Sequence, residues 1–283
     1  MEKNIMFSVM TALITPFLEN GEVDYPSLGG IIQDQLQQGC QGFIVCGTTA
    51  EAPTLSEPEK FSILSFVIQQ VKHRVPIWFG CGSNHTKQTI QLCLKAQSYD
   101  IAGFLIVTPY YNRPSQEGIY QHYKAISDAV FKDIMLYNVP SRTGVDITYE
   151  TLRRLLTDCE NIKALKHASN ALDIIEKIHH EFPDFMIYSG EDGSFVEGRK
   201  AGMNGLISVM SHINMRDILD YLHDPSSEKL EDLYTCAYHT FLESSPAPIK
   251  YMLFKRGLCQ NILRLPLCPV GEDTEKKLDD FLS

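Results

Sequence analysis

Eight short apolar runs, rich in β-branched residues, recur along the first three-quarters of the chain, at 7–14, 42–45, 76–81, 102–107, 134–137, 162–166, 185–188 and 205–209. They are apolar throughout rather than alternating, which is the pattern of parallel strands covered on both faces. Helical periodicity fills the gaps. Leu28, Ile31, Ile32 and Leu36 share one face and stop at Gly39, a residue suited to a left-handed helix cap. Ser56 and Glu59 have capping-box spacing ahead of Phe61, Leu64, Ile68 and Val71. Leu152, Leu155, Leu156 and Cys159 repeat the period after the fifth run, and Leu172, Ile175, Ile178 and Phe182 after the sixth. Strand–helix alternation over eight units predicts an α/β fold, a (β/α)8 TIM barrel, ending near residue 224. An open doubly wound sheet is the alternative. A Gly-rich phosphate loop after the first strand would favour it, and 14–21 contains none. Asp224-Pro225-Ser226-Ser227 marks a boundary, and beyond it Leu230 to Phe241, Ile249 to Leu253 and Leu278 to Leu282 carry three further helical patterns. The expected organisation is a barrel over 1–224 and a small C-terminal helical domain over 225–283.

The chain is 283 residues long and 44% hydrophobic, enough to bury a large core and to exclude disorder. Lys and Arg total 25 against 35 Asp and Glu, a formal charge of −10. That balance argues against nucleic acid or an anionic membrane as the main partner. An anionic small molecule would then need a local basic spot, which draws attention to any Lys or Arg in a cleft. The N-terminal stretch MEKNIMFSVMTALITPF reads as a first strand rather than a secretory leader. No run approaches the ~20 apolar residues of a membrane span. The 8 cysteines include no C-x-x-C pair, so no zinc or haem site is expected, and a reducing cytoplasm suits them. Glu51, Glu191 and Asp192 come from distant units, which gives a Mg²⁺ site little support.

In such a barrel, chemistry is carried by the C-terminal ends of the strands. The second strand runs into Gly47-Thr48-Thr49-Ala50-Glu51, the fourth into Thr108-Pro109-Tyr110-Tyr111-Asn112-Arg113-Pro114, and the fifth into Tyr137-Asn138-Val139-Pro140-Ser141-Arg142-Thr143-Gly144. The sixth ends in Lys166 and the seventh runs into Ser189-Gly190-Glu191-Asp192. Lys166 closes the run Ile162-Lys163-Ala164-Leu165-Lys166 at the barrel mouth. Burial disfavours an ammonium and favours the neutral, nucleophilic amine that imine chemistry uses. A salt-bridged lysine at a strand end fits the same position. Tyr137 offers a phenol that shuttles a proton beside an imine, or a core tyrosine. Thr48 and Thr49 offer relay hydroxyls, carboxylate ligands, or ordinary turn residues. Arg142 offers a fork for a carboxylate, or a solvated charge.

Taken together, these segments resemble the dihydrodipicolinate synthase family, within the N-acetylneuraminate lyase superfamily. The stretch from Thr108 continues through Ser115-Gln116-Glu117-Gly118, and Gly205-Leu206-Ile207-Ser208-Val209 and Ser245-Pro246-Ala247-Pro248-Ile249-Lys250 extend the likeness to almost the whole chain. The resemblance implies a Schiff base between Lys166 and pyruvate, with Tyr137 as proton donor and acceptor. It implies a hydroxyl relay through Thr48 and Tyr111, with Tyr111 reaching in from a neighbouring subunit. It implies Thr49 as a pyruvate-carboxylate ligand, Gly190 and Ile207 as pocket lining, and Arg142 as the holder of the carboxylate of aspartate 4-semialdehyde. No cofactor and no metal are implied, because the imine is itself the electron sink. A homo-oligomer is implied, a tetramer built as a dimer of dimers. Some relatives are inhibited by L-lysine at the dimer interface, where Lys60 and Gln88 in this chain predict a weak effect. A sugar-acid lyase using the same imine, or a barrel that binds keto acids without turnover, are the alternatives. Three positions depart from the family pattern: Ala50 for Gly, His167 for Glu, and Asn170 for Gly.

Overall fold

A computed structural model describes residues 7–169 and 171–283; the departure at Asn170 lies outside them. The strands are β1 (Ser8–Ala12), β2 (Phe43–Val45), β3 (Ile77–Gly80), β4 (Gly103–Val107), β5 (Asp133–Asn138), β6 (Ile162–His167), β7 (Met186–Ser189) and β8 (Gly205–Ser208). They follow one another in sequence order in a closed barrel. Each pairing resolved along it is parallel. Helices fill the connections, including Tyr25–Gln38, Glu57–Val71, Thr86–Ala96, Gln116–Ala129 and Tyr149–Asp158. The fold is the expected (β/α)8 barrel.

Several strands are shorter than their apolar runs. The first run extends over 7–14, yet the ladder stops at Ala12. Leu13 and Ile14 remain buried at 2% and 1% exposure, and the Leu13 amide still donates to the Ile44 carbonyl at 3.0 Å, so the run marks burial past the last residue of the strand. The second, third and eighth runs are trimmed in the same way, to Phe43–Val45, Ile77–Gly80 and Gly205–Ser208. The seventh strand is displaced by one residue to Met186–Ser189.

The helix signals read from the sequence have physical counterparts. Gly39 caps Tyr25–Gln38 with φ of 97°, a conformation that L side chains adopt only with strain. At the start of Glu57–Val71 the Ser56 hydroxyl accepts from the Glu59 amide, and the Glu59 carboxylate accepts from the Ser56 amide at 2.8 Å. This reciprocal pair satisfies two donors that the first helical turn otherwise leaves unmet.

The chain divides into two compact units. One combines Ile77–Ile207 with Phe7 and Ser8, and packs Phe79, Phe104, Tyr123 and Phe195 in its interior. The other comprises Val9–Pro76 and Ser208–Ser283, with Phe17, Leu28, Ile32 and Phe43 buried within it. The C-terminal helices Ser227–Thr240, Ala247–Lys255 and Glu272–Leu282 belong to this second unit. Among the described residues, no helix is long and apolar enough to cross a membrane.

Candidate active site

In the unit built on Ile77–Ile207, β6 presents two lysines with different fates. Residues three apart on a strand face opposite sides. Lys163 is exposed, whereas Lys166 retains only 5% of its accessible surface. Lys166 stands opposite Tyr137 on β5 and Tyr188 on β7, so the three side chains share one face. The Lys166 Nζ lies 4.5 Å from the centroid of the Tyr137 ring. Among the described residues it forms no ion pair. The salt-bridged lysine that strand-end position alone allowed is therefore not the arrangement seen.

A register irregularity produces this alignment. Ile134 pairs with Ile162, but the next residue, Met135, pairs with Ala164. Lys163 is the extra residue, as in a β-bulge. Without the slip Tyr137 would face Leu165, and Lys166 would align with Asn138. One inserted residue thus sets the amine beside the phenol.

Gly190 leaves room for the lysine. A Cβ at this position would come within 2.9 Å of Lys166 Cε and 2.9 Å of Ala168 Cβ. The Gly190 amide donates to the His167 carbonyl at 2.8 Å, and Ser189 Oγ closes the turn by donating to the Glu191 carbonyl at 3.0 Å. Burial raises the Glu191 carboxyl above the ordinary range, helped by Asp192, while the Lys166 and Arg142 charges pull it back. Both cations therefore act on one half-buried carboxyl. Arg142 itself is exposed on the short helix Pro140–Thr143, which is capped by Gly144 with φ of 72°. Thr143 Oγ1 pins that turn by donating to the Val139 and Val145 carbonyls at 3.2 and 2.9 Å. Ile207, on β8, is 1% exposed.

Tyr111 stands apart from this group. It is 90% exposed and holds φ of 71°. The backbone around it is tied down: Asn84 Nδ2 donates to the Tyr110 carbonyl at 3.2 Å, and Asn112 Nδ2 donates to the Asn84 carbonyl at 2.9 Å. A large aromatic ring held in a left-handed conformation and left in solvent is a costly arrangement within a single chain.

In the other unit, β2 leads into a single 3₁₀ turn, Thr48–Ala50. Thr49 is 5% exposed and Thr48 half-buried. The neighbours Cys46 and Glu51 have positive φ, 56° and 55°, whereas Ala50 does not, so alanine fits its place in the turn without backbone strain. Glu51, weighed above as a metal ligand, instead pairs with Lys250 at 2.5 Å, both side chains being fully buried. Lys250 was noted in the sequence only as part of a matching segment. The signal that marks it is a lysine in the middle of the apolar helix Ala247–Lys255, buried with its neighbours, unlike Lys255 at the helix end.

His167, the departure next to Lys166, aligns with Asn138 and Ser189 on the opposite face of the sheet. It is 1% exposed, and its Nε2 has no hydrogen-bond partner among the described residues. Burial holds it below the usual histidine range, against the pull of Asp146. A neutral imidazole thus occupies a position where a carboxylate would bring charge.

The profile of the dihydrodipicolinate synthetase family matches residues 6–283. The 4-hydroxy-tetrahydrodipicolinate synthase of Bacillus subtilis (strain 168) is 40% identical over 284 residues, covering 98% of each chain. Among solved structures, a monomeric dihydrodipicolinate synthase variant superposes with a TM-score of 0.94 at 36% identity, covering 98% of this chain and 96% of that one. The chloride-inhibited dihydrodipicolinate synthase from Acinetobacter baumannii, complexed with pyruvate, gives 0.91 at 34% identity over 99% and 98% of the two chains. The chain belongs to the dihydrodipicolinate synthetase family.

Proposed function

We infer that this chain condenses pyruvate with L-aspartate 4-semialdehyde to give 4-hydroxy-tetrahydrodipicolinate, a step of lysine and diaminopimelate biosynthesis. The observation that carries this reading is the buried Lys166 beside Tyr137 in a chain that matches the family from end to end. The Lys166 amine adds to the pyruvate carbonyl and water leaves, forming the imine. Loss of a methyl proton gives an enamine, because the imine accepts the electron pair. The enamine attacks the aldehyde of the second substrate. That substrate's own amine then displaces Lys166 as the ring closes, and the enzyme is regenerated.

Tyr137 moves the protons of imine formation and release, with Thr48 and Tyr111 as the rest of the relay. Thr49 binds the pyruvate carboxylate, and Gly190 and Ile207 line its pocket. Arg142 holds the carboxylate of aspartate semialdehyde. Its exposure suits a group that meets an incoming substrate, and its short helix is braced by Thr143. The protein acts as a homo-oligomer in the cytoplasm, a tetramer of two tight dimers. Residues 225–283 form a helical appendage to the barrel.

The test is borohydride trapping with pyruvate, followed by peptide mapping, beside a coupled assay offering aspartate semialdehyde or sialic acid. One adduct at Lys166, lost in Lys166→Ala, and turnover with the semialdehyde are expected. An adduct at Lys163, or none, rejects the imine. Turnover with sialic acid alone moves the substrate to the sugar acids.

A further inference from the structure

The turn Thr48–Ala50 is held weakly by its own backbone, through Ala50 N–H to the Gly47 carbonyl at 3.2 Å and Glu51 N–H to the Thr48 carbonyl at 3.0 Å. A single 3₁₀ turn is a poor support for two side chains that must meet a small ligand. Its exit residue, Glu51, is in the left-handed region with φ of 55°. A residue with a side chain persists there only where its surroundings over-determine it. The surroundings are explicit. Glu51 Oε1 accepts from Lys250 Nζ at 2.5 Å, and Oε2 accepts from the backbone amide of Arg264 at 2.9 Å. The Glu51 carbonyl accepts from the Thr54 amide and from Thr54 Oγ1, each at 2.9 Å.

Lys250 is itself tied in place. Its second bond goes to the Ile262 carbonyl at 2.8 Å, and its Nζ lies 4.2 Å from the centre of the Phe17 ring. Burial disfavours the Lys250 ammonium, and Glu51 offsets that cost. Well-packed hydrophobic residues of similar volume often replace a buried ion pair at no cost in stability, because two charges must be stripped of water to form the pair. What the ion pair adds is direction. It aims at one atom of one residue, two positions after Thr49.

We propose that the Glu51–Lys250 ion pair positions the Thr48-Thr49 turn for pyruvate, so that these buried residues set affinity for the keto acid without touching it. This rests on the role given above to Thr48 and Thr49.

The experiment measures how borohydride trapping depends on pyruvate concentration in the full-length chain, together with thermal melting. Glu51→Gln keeps the shape and the bond from Arg264 but removes the charge. The double variant Glu51→Gln/Lys250→Met leaves no unpaired buried charge, so it keeps the test open where the single variant is too unstable to assay. Both are expected to need at least about tenfold more pyruvate for half-maximal trapping, with a smaller change in kcat at saturating pyruvate. Glu51→Asp, which keeps the charge, is expected to recover part of the loss. A folded variant that traps with the unaltered pyruvate dependence overturns the proposal. Failure of both neutral variants to fold overturns it as well, since it assigns the pair to stability. Failure of the imine reading is separate: the unaltered chain would then trap no pyruvate.

Discussion

Arg142 and Lys166 are both cations in the first unit, yet they occupy opposite extremes of burial. Lys166 is enclosed against Tyr137, away from bulk water; Arg142 stands in solvent on a braced turn. Under the proposed roles this contrast would separate the two half-reactions. Arg142→Ala is expected to leave pyruvate trapping intact and to lower kcat/KM for aspartate semialdehyde by about ten- to a hundredfold. Charge-assisted hydrogen bonds to a carboxylate are worth roughly 1.5–3 kcal/mol. Steady-state kinetics with the semialdehyde varied at saturating pyruvate provide the check. Unchanged kinetics would make Arg142 a surface residue and return the sugar-acid reading. Glu191 is the residue that composition and spacing did not single out for this site. Its significance lies in feeling both cations at once, a relation that only the folded chain creates.

At the scale of elements, the apolar runs announced the strands because parallel strands are covered on both faces, and that signal is local. The slip at Lys163 was not legible. A bulge depends on how two strands pair, and 162–166 reads as one uninterrupted run whichever of its residues is extra. For the same reason several strand ends were overestimated: Leu13 and Ile14 lie past the last residue of β1 and are apolar because they are buried. The partner of Glu51 was hidden too, since 199 residues separate it from Lys250. The capping box at Ser56, by contrast, was readable because its two partners lie three residues apart. That helix start also carries a long-range load. Arg264 donates to Glu59 at 2.5 Å and to the Gly21 and Thr54 carbonyls at 2.6 and 3.0 Å. The Arg264 bond is the largest influence on the Glu59 carboxyl and helps lower it from 4.5 to about 2. A carboxyl depressed on folding contributes stability that is present above its unfolded value and is lost as pH falls toward the folded value. Glu59→Gln is therefore expected to melt below the unaltered chain at pH 7. The gap should narrow as pH falls below 4.5 toward about 2. With 30% of its side chain exposed, solvent screening keeps the effect near about 1 kcal/mol. Melting curves of the two proteins at pH 7, 5 and 3 decide the matter; a gap that does not change with pH would remove the charge from the explanation.

For the whole molecule, Tyr111 supplies the argument for assembly. Its ring is 90% exposed and its backbone left-handed, so a single chain leaves in solvent the aromatic residue that the proposed relay would use. A second copy that took up this ring would complete both proposed sites at once, as a two-fold interface does. Sedimentation is expected to show a homo-oligomer, and Tyr111→Phe is expected to reduce turnover without loosening it; a fully active monomer would contradict this. The same proposed interface would bear on feedback by the pathway's end product. L-lysine carries two ammonium groups and one carboxylate, a net charge of about +1. Lys60, half-buried on the helix Glu57–Val71, adds a cation, and the exposed Gln88 supplies no anion to pair with a bound ammonium. At an effective dielectric of about 20, a like charge ~4 Å away costs up to ~4 kcal/mol before relaxation. A third of that is about tenfold in affinity. Glu57 opposes the effect, since it lies three residues before Lys60 on one helix face. L-lysine is therefore expected to inhibit weakly when titrated into the condensation assay at saturating pyruvate, and Lys60→His is expected to increase sensitivity. Half-inhibition well below about 1 mM, an affinity stronger than about −4 kcal/mol, would show that the charge at Lys60 does not govern the site.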